Sequence, residues 1–149
     1  MAATCAQWGI AHLIRAWTGP RPTGGLAEAA RLARYRLLAE AAAEAGADIV
    51  LTGHTMDDQA ETAAMRAARG DGRGLAGMAP ATLHEERTWI ARPLLGLRRK
   101  ALRAILREAG QGWIDDPSNE ALTSERVRVR KALAGQPDMV ARLAAQAGD

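Results

Sequence analysis

Phenylalanine is absent from these 149 residues, tyrosine occurs once, and only two of the twenty basic residues, Lys100 and Lys131, are lysines. With so few aromatics, and alanine supplying much of the 48% hydrophobic content, the core has to be assembled from small side chains and is thin. The positive charge is nearly all guanidinium, whose flat fork matches phosphates and carboxylates. A single cysteine, Cys5, excludes an internal disulfide and a thiolate metal cage, and fits a reducing compartment. No apolar run approaches the roughly 20 residues that span a bilayer, and the start lacks the charged-then-apolar layout of a signal peptide. The expectation is a cytoplasmic protein with no membrane partner.

The length allows one domain, or a small domain with a helical appendage. A net charge of +3 permits an anionic partner without requiring one, but the charge is unevenly spread. Arg98, Arg99, Lys100, Arg103, Arg107, Arg126, Arg128 and Arg130 crowd the second half, while the acids gather mostly before residue 87. The second half is the side expected to face RNA or phosphate. Arg99, Arg103 and Arg107, at i, i+4 and i+8, also fit a solvated helix face opposite an apolar stripe.

Alternation over Ile10 to Trp17 predicts a strand, stopped by Thr18-Gly19-Pro20-Arg21-Pro22. Leu26 to Ala45 has no glycine or proline and repeats apolar residues at helical spacing until Gly46, so a helix is expected there. Asp48 to Thr52 has the unbroken apolar centre of a strand buried on both faces of a parallel sheet. Met56 to Arg69 follows as a helix, with Thr55 as N-cap and Asp58 completing a capping box. Gly70 to Gly74 is a loop, Trp89 to Arg92 a strand ended by Pro93, and Leu97 to Ala109 a helix. Asp115 to Asn119 is a turn, and two short helices split near Gly135-Gln136-Pro137 complete the chain. Strands alternating with helices argue for an α/β fold with an open, mostly parallel sheet, which binds ligands at the carboxyl ends of its strands.

His54 stands at such an end, and Asp57, Asp58 and Glu61 occupy the first turns of the helix behind it. Three crowded carboxylates repel one another and call for a cation, either Mg2+ carrying nucleotide phosphates or the ammonium of a substrate. The plain alternative is that acids in a first helical turn stabilise the helix by about 0.3–1 kcal/mol each. His54 and Asp58, four apart, with Glu61 nearby, also allow a metal site. Zinc would want more His or Cys ligands, and His12 and His84, in an apolar strand and a charged loop, lack ligand spacing.

The run Thr52-Gly53-His54-Thr55-Met56-Asp57-Asp58-Gln59-Ala60-Glu61-Thr62 is followed by Met65-Arg66, Arg69-Gly70 and Gly74-Leu75-Ala76-Gly77-Met78. Ala30 to Tyr35 precede it, and Arg92 to Leu95, Trp113 to Asn119 and Arg126 to Arg130 come after. In this order, over roughly residues 5 to 134, the chain resembles the tRNA(Ile)-lysidine synthetase family of PP-loop enzymes. The resemblance implies a partial PP-loop sheet with helices, adenine nucleotide alpha hydrolase-like and Rossmann-like, over residues 1–95, then a helical extension over 96–149. It implies a ligase that uses ATP to adenylate the wobble cytidine of an isoleucine tRNA, after which the amine of L-lysine displaces AMP. Under it, Asp58 and Glu61 hold the lysine ammonium, and His54 and Asp57 arrange the adenylated intermediate or its metal, with Mg2+ nearest Asp57 and no ligand set fixed. Asn119 is a positioning residue, and Arg69, Arg126, Arg128 and Arg130 bind phosphate or tRNA.

Two departures stand out. Val127 replaces the asparagine usual after the first arginine of the basic run, so an amide interaction is missing or supplied elsewhere. The family's Ser-Gly-Gly-x-Asp-Ser phosphate signature is absent, since Gly24-Gly25 follows a proline-rich turn and lacks the Asp-Ser. By the resemblance the chain begins in a helix after the family's second strand, and its strands at Ile10 and Ile49 are the third and fourth. Its own turnover is expected to be nil, and unpaired sheet edges are expected to favour self-association. The alternatives are a sister PP-loop tRNA modifier, disfavoured by the single cysteine; an RNA-binding module built from the basic second half; and a metallohydrolase.

Overall fold

The computed structural model describes residues 1–20, 22–70, 76–115 and 124–148. In chain order these form α1 (Ala2–Gln7), α2 (Leu26–Glu44), β1 (Ile49–Leu51), α3 (Met56–Arg69), β2 (Ala81–His84), β3 (Thr88–Ala91), α4 (Arg99–Glu108), α5 (Glu125–Leu133) and α6 (Pro137–Gln146). By compactness they divide into two units, Met1–Val50 with Leu83–Ile90 and Leu51–Thr82 with Ala91–Asp149. No helix among the described residues is long and apolar enough to cross a membrane.

The long alanine-rich helix forms as its composition requires and ends where glycine permits. Gly46, at φ +66°, donates to Ala43 O and Ala47 N–H donates to Ala42 O, the paired bonds of a Schellman stop. α4 ends the same way at Gly110. The three strands form one sheet in the order β1-β3-β2. Trp89 N–H donates to Asp48 O at 2.8 Å and Thr52 N–H to Ala91 O at 2.9 Å. These bonds advance in the same direction along both strands, so β1 and β3 are parallel. β2 and β3 form a hairpin closed by Arg87 N–H on His84 O, with Glu85 and Glu86 both at positive φ. That hairpin was not anticipated, and it makes His84 the last residue of a strand, its ring 6.1 Å from that of Tyr35.

Two strand expectations are corrected. Residues 10–17 are exposed apart from half-buried Trp17 and belong to no strand, because the sheet among the described residues offers them no partner ladder. β1 is a strand but not one buried on both faces. Ile49 and Leu51 are 56% and 69% exposed, as befits the outermost position in the sheet order.

The thin core is observed. Ala33, Ala42 and Ile90 are buried in the first unit, and Ala60, Ala63, Val127 and Val140 in the second. There α3 packs on α6 and on α5. Alanine on the buried face of α3 lets the helices approach closely, which brings the arginines of α5 within reach of the acids of α3.

Candidate functional site

The start of α3 is fixed by its own sequence. Thr55 is the N-cap in extended backbone; its hydroxyl accepts the Asp58 N–H at 3.4 Å. The Asp58 carboxylate accepts the Thr55 N–H at 2.9 Å and hydroxyl at 2.6 Å, closing the capping box. Helical spacing then sets Glu61 three residues from Asp58 and four from Asp57, so the carboxylates are neighbours.

Four arginines from elsewhere in the same unit meet them. Arg98 Nη2 lies 3.1 Å from Asp57 Oδ1, and Arg99 Nη2 lies 2.9 Å from Asp58 Oδ1 and 3.4 Å from Glu61 Oε1. From α5, Arg130 forks onto Glu61, Nε to Oε1 at 2.7 Å and Nη2 to Oε2 at 3.2 Å. Arg126, one helical turn before it, places Nη1 3.6 Å from Glu61 Oε2 and 3.9 Å from Asp58 Oδ1, and Nη2 donates to Thr62 Oγ1. Glu61 is only 2% exposed, and a carboxylate so deep in protein is tolerated because both its oxygens face guanidinium groups.

Burial pushes the Asp58 carboxyl up. The bonds from the Thr55 hydroxyl and N–H, and then Arg99 and Arg126, outweigh that and hold it below the usual aspartate value. Arg130 is held above the ordinary arginine value chiefly by its bond to Glu61.

Asp57 has a different task. Its Oδ2 accepts the backbone N–H of Arg99 at 2.7 Å, so it caps α4, whose own N-cap Arg98 supplies no side-chain bond. A helix that opens with Arg98, Arg99 and Lys100 sets positive charge against the positive end of its dipole, and the Asp57 carboxylate offsets this. These bonds leave Asp57 unsuited to a magnesium ion, because both oxygens are committed to Arg98 and Arg99. Among the described residues no group of three His, Cys, Asp or Glu side chains is arranged to hold a metal.

A family model described as PP-loop domain matches residues 1–136. The chain belongs to the PP-loop domain family. It is 57% identical over 142 residues to the tRNA(Ile)-lysidine synthase of Mesorhizobium japonicum, an alignment covering 91% of this chain and 31% of that protein. The corresponding protein of Rhizobium meliloti is 51% identical over 144 residues, covering 90% and 32%. The chain thus spans about a third of the length of these curated relatives. Among solved structures, the U34-tRNA thiolase NcsA from Methanococcus maripaludis superposes with a TM-score of 0.77 over 98% of this chain and 54% of that one. At 18% identity that likeness is one of fold. It agrees with the expected PP-loop architecture, a mixed α/β arrangement with parallel pairing in a small sheet.

Within this PP-loop chain, Asp57, Asp58, Glu61, Arg126 and Arg130 converge on one cluster. His54 stands just before it, half-buried, with Nδ1 2.9 Å from the Thr52 hydroxyl. The same hydroxyl lies 3.3 Å from Ala91 O, to which it can donate. Arg69 lies at the far end of α3, paired with Glu125, and Arg128 is on the exposed side of α5. Val127, in the place of the family's asparagine, is buried in the helix packing. Asn119 lies outside the described residues.

Arg98 and Arg99 were missed as site residues. The i, i+4, i+8 pattern of Arg99, Arg103 and Arg107 reads as a solvated face, and none of the three is merely that. Arg103 bonds Asp115, and both Arg103 and Arg107 lie over the Trp113 ring. The overlooked signal was three bases at a helix start, which require an acid from elsewhere.

Proposed function

We propose that the protein takes part in the ATP-dependent joining of L-lysine to the wobble cytidine of an isoleucine tRNA, in the cytoplasm, as the family's lysidine synthetases do. The observation that carries this reading is the 57% identity over 142 residues with a protein of that name. The cluster at the start of α3 is chemically suited to it. Asp58 and Glu61 are neighbouring carboxyl groups shielded from solvent, an arrangement that suits an ammonium. Arg126 and Arg130 bring positive charge to the same place, where the phosphate of an adenylate or of the tRNA backbone would be met. Asp57 acts through α4 as a positioning residue, and His54 stands just before the cluster in the chain. ATP is the adenylating substrate, and no magnesium ligand is assigned. Self-association through the exposed edge of β1 belongs to the same proposal.

The test is turnover of the full-length gene product with ATP, labelled L-lysine and isoleucine tRNA. Lysine incorporated into the tRNA with release of AMP is the expected result, and Glu61→Ala should raise the KM for lysine far more than that for ATP. Absence of lysine-dependent AMP release defeats the reading.

A further inference from the structure

We propose that Arg99 is a resident counter-ion occupying the place of the substrate ammonium, and that lysine enters by displacing it toward a bound anion. The inference rests on the assignment of Asp58 and Glu61 to the lysine amine.

One nitrogen, Arg99 Nη2, bridges the two acids, 2.9 Å from Asp58 Oδ1 and 3.4 Å from Glu61 Oε1. An amine nitrogen serving both carboxylates needs the same position. Glu61, 2% exposed, has no open side from which a further cation can be added. An incoming ammonium must therefore replace a guanidinium. Arg130 is the costly one to move, since it makes two bonds to Glu61, and Arg126 stands beyond hydrogen-bond reach of either acid. Arg99 blocks the shared position and is also able to leave it. Its side chain is 31% exposed, and its backbone N–H stays anchored on Asp57 Oδ2, so the guanidinium can swing while α4 keeps its place.

Charge decides when it swings. Among the described residues three carboxylates, Asp57, Asp58 and Glu61, face four guanidinium groups, Arg98, Arg99, Arg126 and Arg130. Among these seven groups positive charge is in excess, and an ammonium added alone increases it. An anion such as a nucleotide phosphate gives the released Arg99 a partner, so anion and lysine bind with positive coupling, and the coupling is reciprocal.

The experiment is calorimetric titration of the full-length gene product with L-lysine, with and without a non-hydrolysable ATP analogue, in the unsubstituted protein and in Arg99→Met and Arg99→Lys. The unsubstituted protein is expected to bind lysine about tenfold more tightly with the analogue present, within the usual range for coupled sites. Arg99→Met should bind lysine equally well in both states, at least as tightly as the unsubstituted protein without analogue. Arg99→Lys should keep part of the coupling. Coupling unchanged in Arg99→Met, or lysine binding abolished in both arginine variants while their thermal unfolding stays cooperative, overturns the inference and makes Arg99 a support of the site. An unsubstituted protein that binds no lysine in either state overturns the functional reading, and this inference with it.

Discussion

Arg130 Nε lies 2.7 Å from Glu61 Oε1, and its Nη2 lies 3.2 Å from Oε2, so the most buried acid among the described residues is held by a two-pronged bond from another helix. This bond ties α5 to α3 and places Arg126 one turn away over the same acids. Removing Glu61 takes this two-pronged bond from Arg130, at a cost of about 3 kcal/mol where the surviving group keeps some access to water, as Arg130 does. Glu61→Gln should lower the urea midpoint accordingly with little change in slope. Adding Arg130→Met should recover part of the loss, giving a coupling term in the double-mutant cycle. Additive effects of the two substitutions would mean that the pair contributes nothing to the packing of α5 on α3.

The lowered carboxyl of Asp58 makes part of the stability depend on pH. Its folded value lies below the roughly 3.9 of an unfolded aspartate, so its contribution is present above about pH 4 and is lost as pH falls through the folded value. Asp58→Asn should therefore differ most from the unsubstituted chain near neutrality, and the gap in urea midpoint should narrow progressively as pH falls below about 4. A gap of constant size from pH 7 to pH 3 rules out ionisation of Asp58 as its source.

The parts of this molecule that were legible in the sequence are those whose causes are local. Thr55 and Asp58 announce their capping box because both partners lie within one turn, and Gly46 announces the end of α2 because only glycine easily takes its backbone angles. The alternation over residues 10–17 is a local pattern too, but a strand exists only when a second strand pairs with it. β2 escaped notice because its turn carries Glu85-Glu86 where a tight hairpin ordinarily has asparagine or glycine. The acids of the site were found from their position after β1, whereas Arg99 was not, because its partners lie 41 and 38 residues away along the chain.

Gln59 explains the glycine at position 77. Its side-chain amide pairs with Met78 in both directions, Nε2 to Met78 O at 3.0 Å and Met78 N–H to Oε1 at 2.7 Å. A Cβ at Gly77 would sit 2.5 Å from Gln59 Cδ, and a buried side chain bonded at both ends cannot step aside cheaply. Gly77→Ala should destabilise the chain by about 1–3 kcal/mol, as overpacking does. Gly77→Ala combined with Gln59→Ala, which removes the obstruction, should cost less than the sum of the two single changes. Strict additivity would contradict the clash.

α5 divides its arginines between two directions, and RNA binding should expose the division. Arg126 and Arg130 face the acids, while Arg128 is on the exposed side, so Arg128 is the better candidate for a tRNA phosphate. In the full-length gene product Arg128→Ala should weaken tRNA binding and flatten the plot of log affinity against log salt by about 0.7–0.9 for each phosphate it ceases to neutralise. An unaltered slope assigns Arg128 to the fold.

The β2–β3 turn stores strain that a substitution can release. Glu85 and Glu86 sit at φ 49° and 55°, and an L side chain in this left-handed region costs roughly 1–2 kcal/mol relative to its ordinary conformations. Glycine takes these angles without that cost, and the larger backbone entropy it loses on folding offsets only part of the gain. Glu86→Gly should thus raise stability by about 0.5–1 kcal/mol. Replacing the pair by Asn-Gly, the residues this turn type favours, should raise it further. Both gains should appear as slower hydrogen exchange at the Arg87 amide, which closes the turn on His84 O. Exchange left unchanged or quickened by Glu86→Gly would show that the glutamate side chains hold the turn more firmly than its backbone angles strain it.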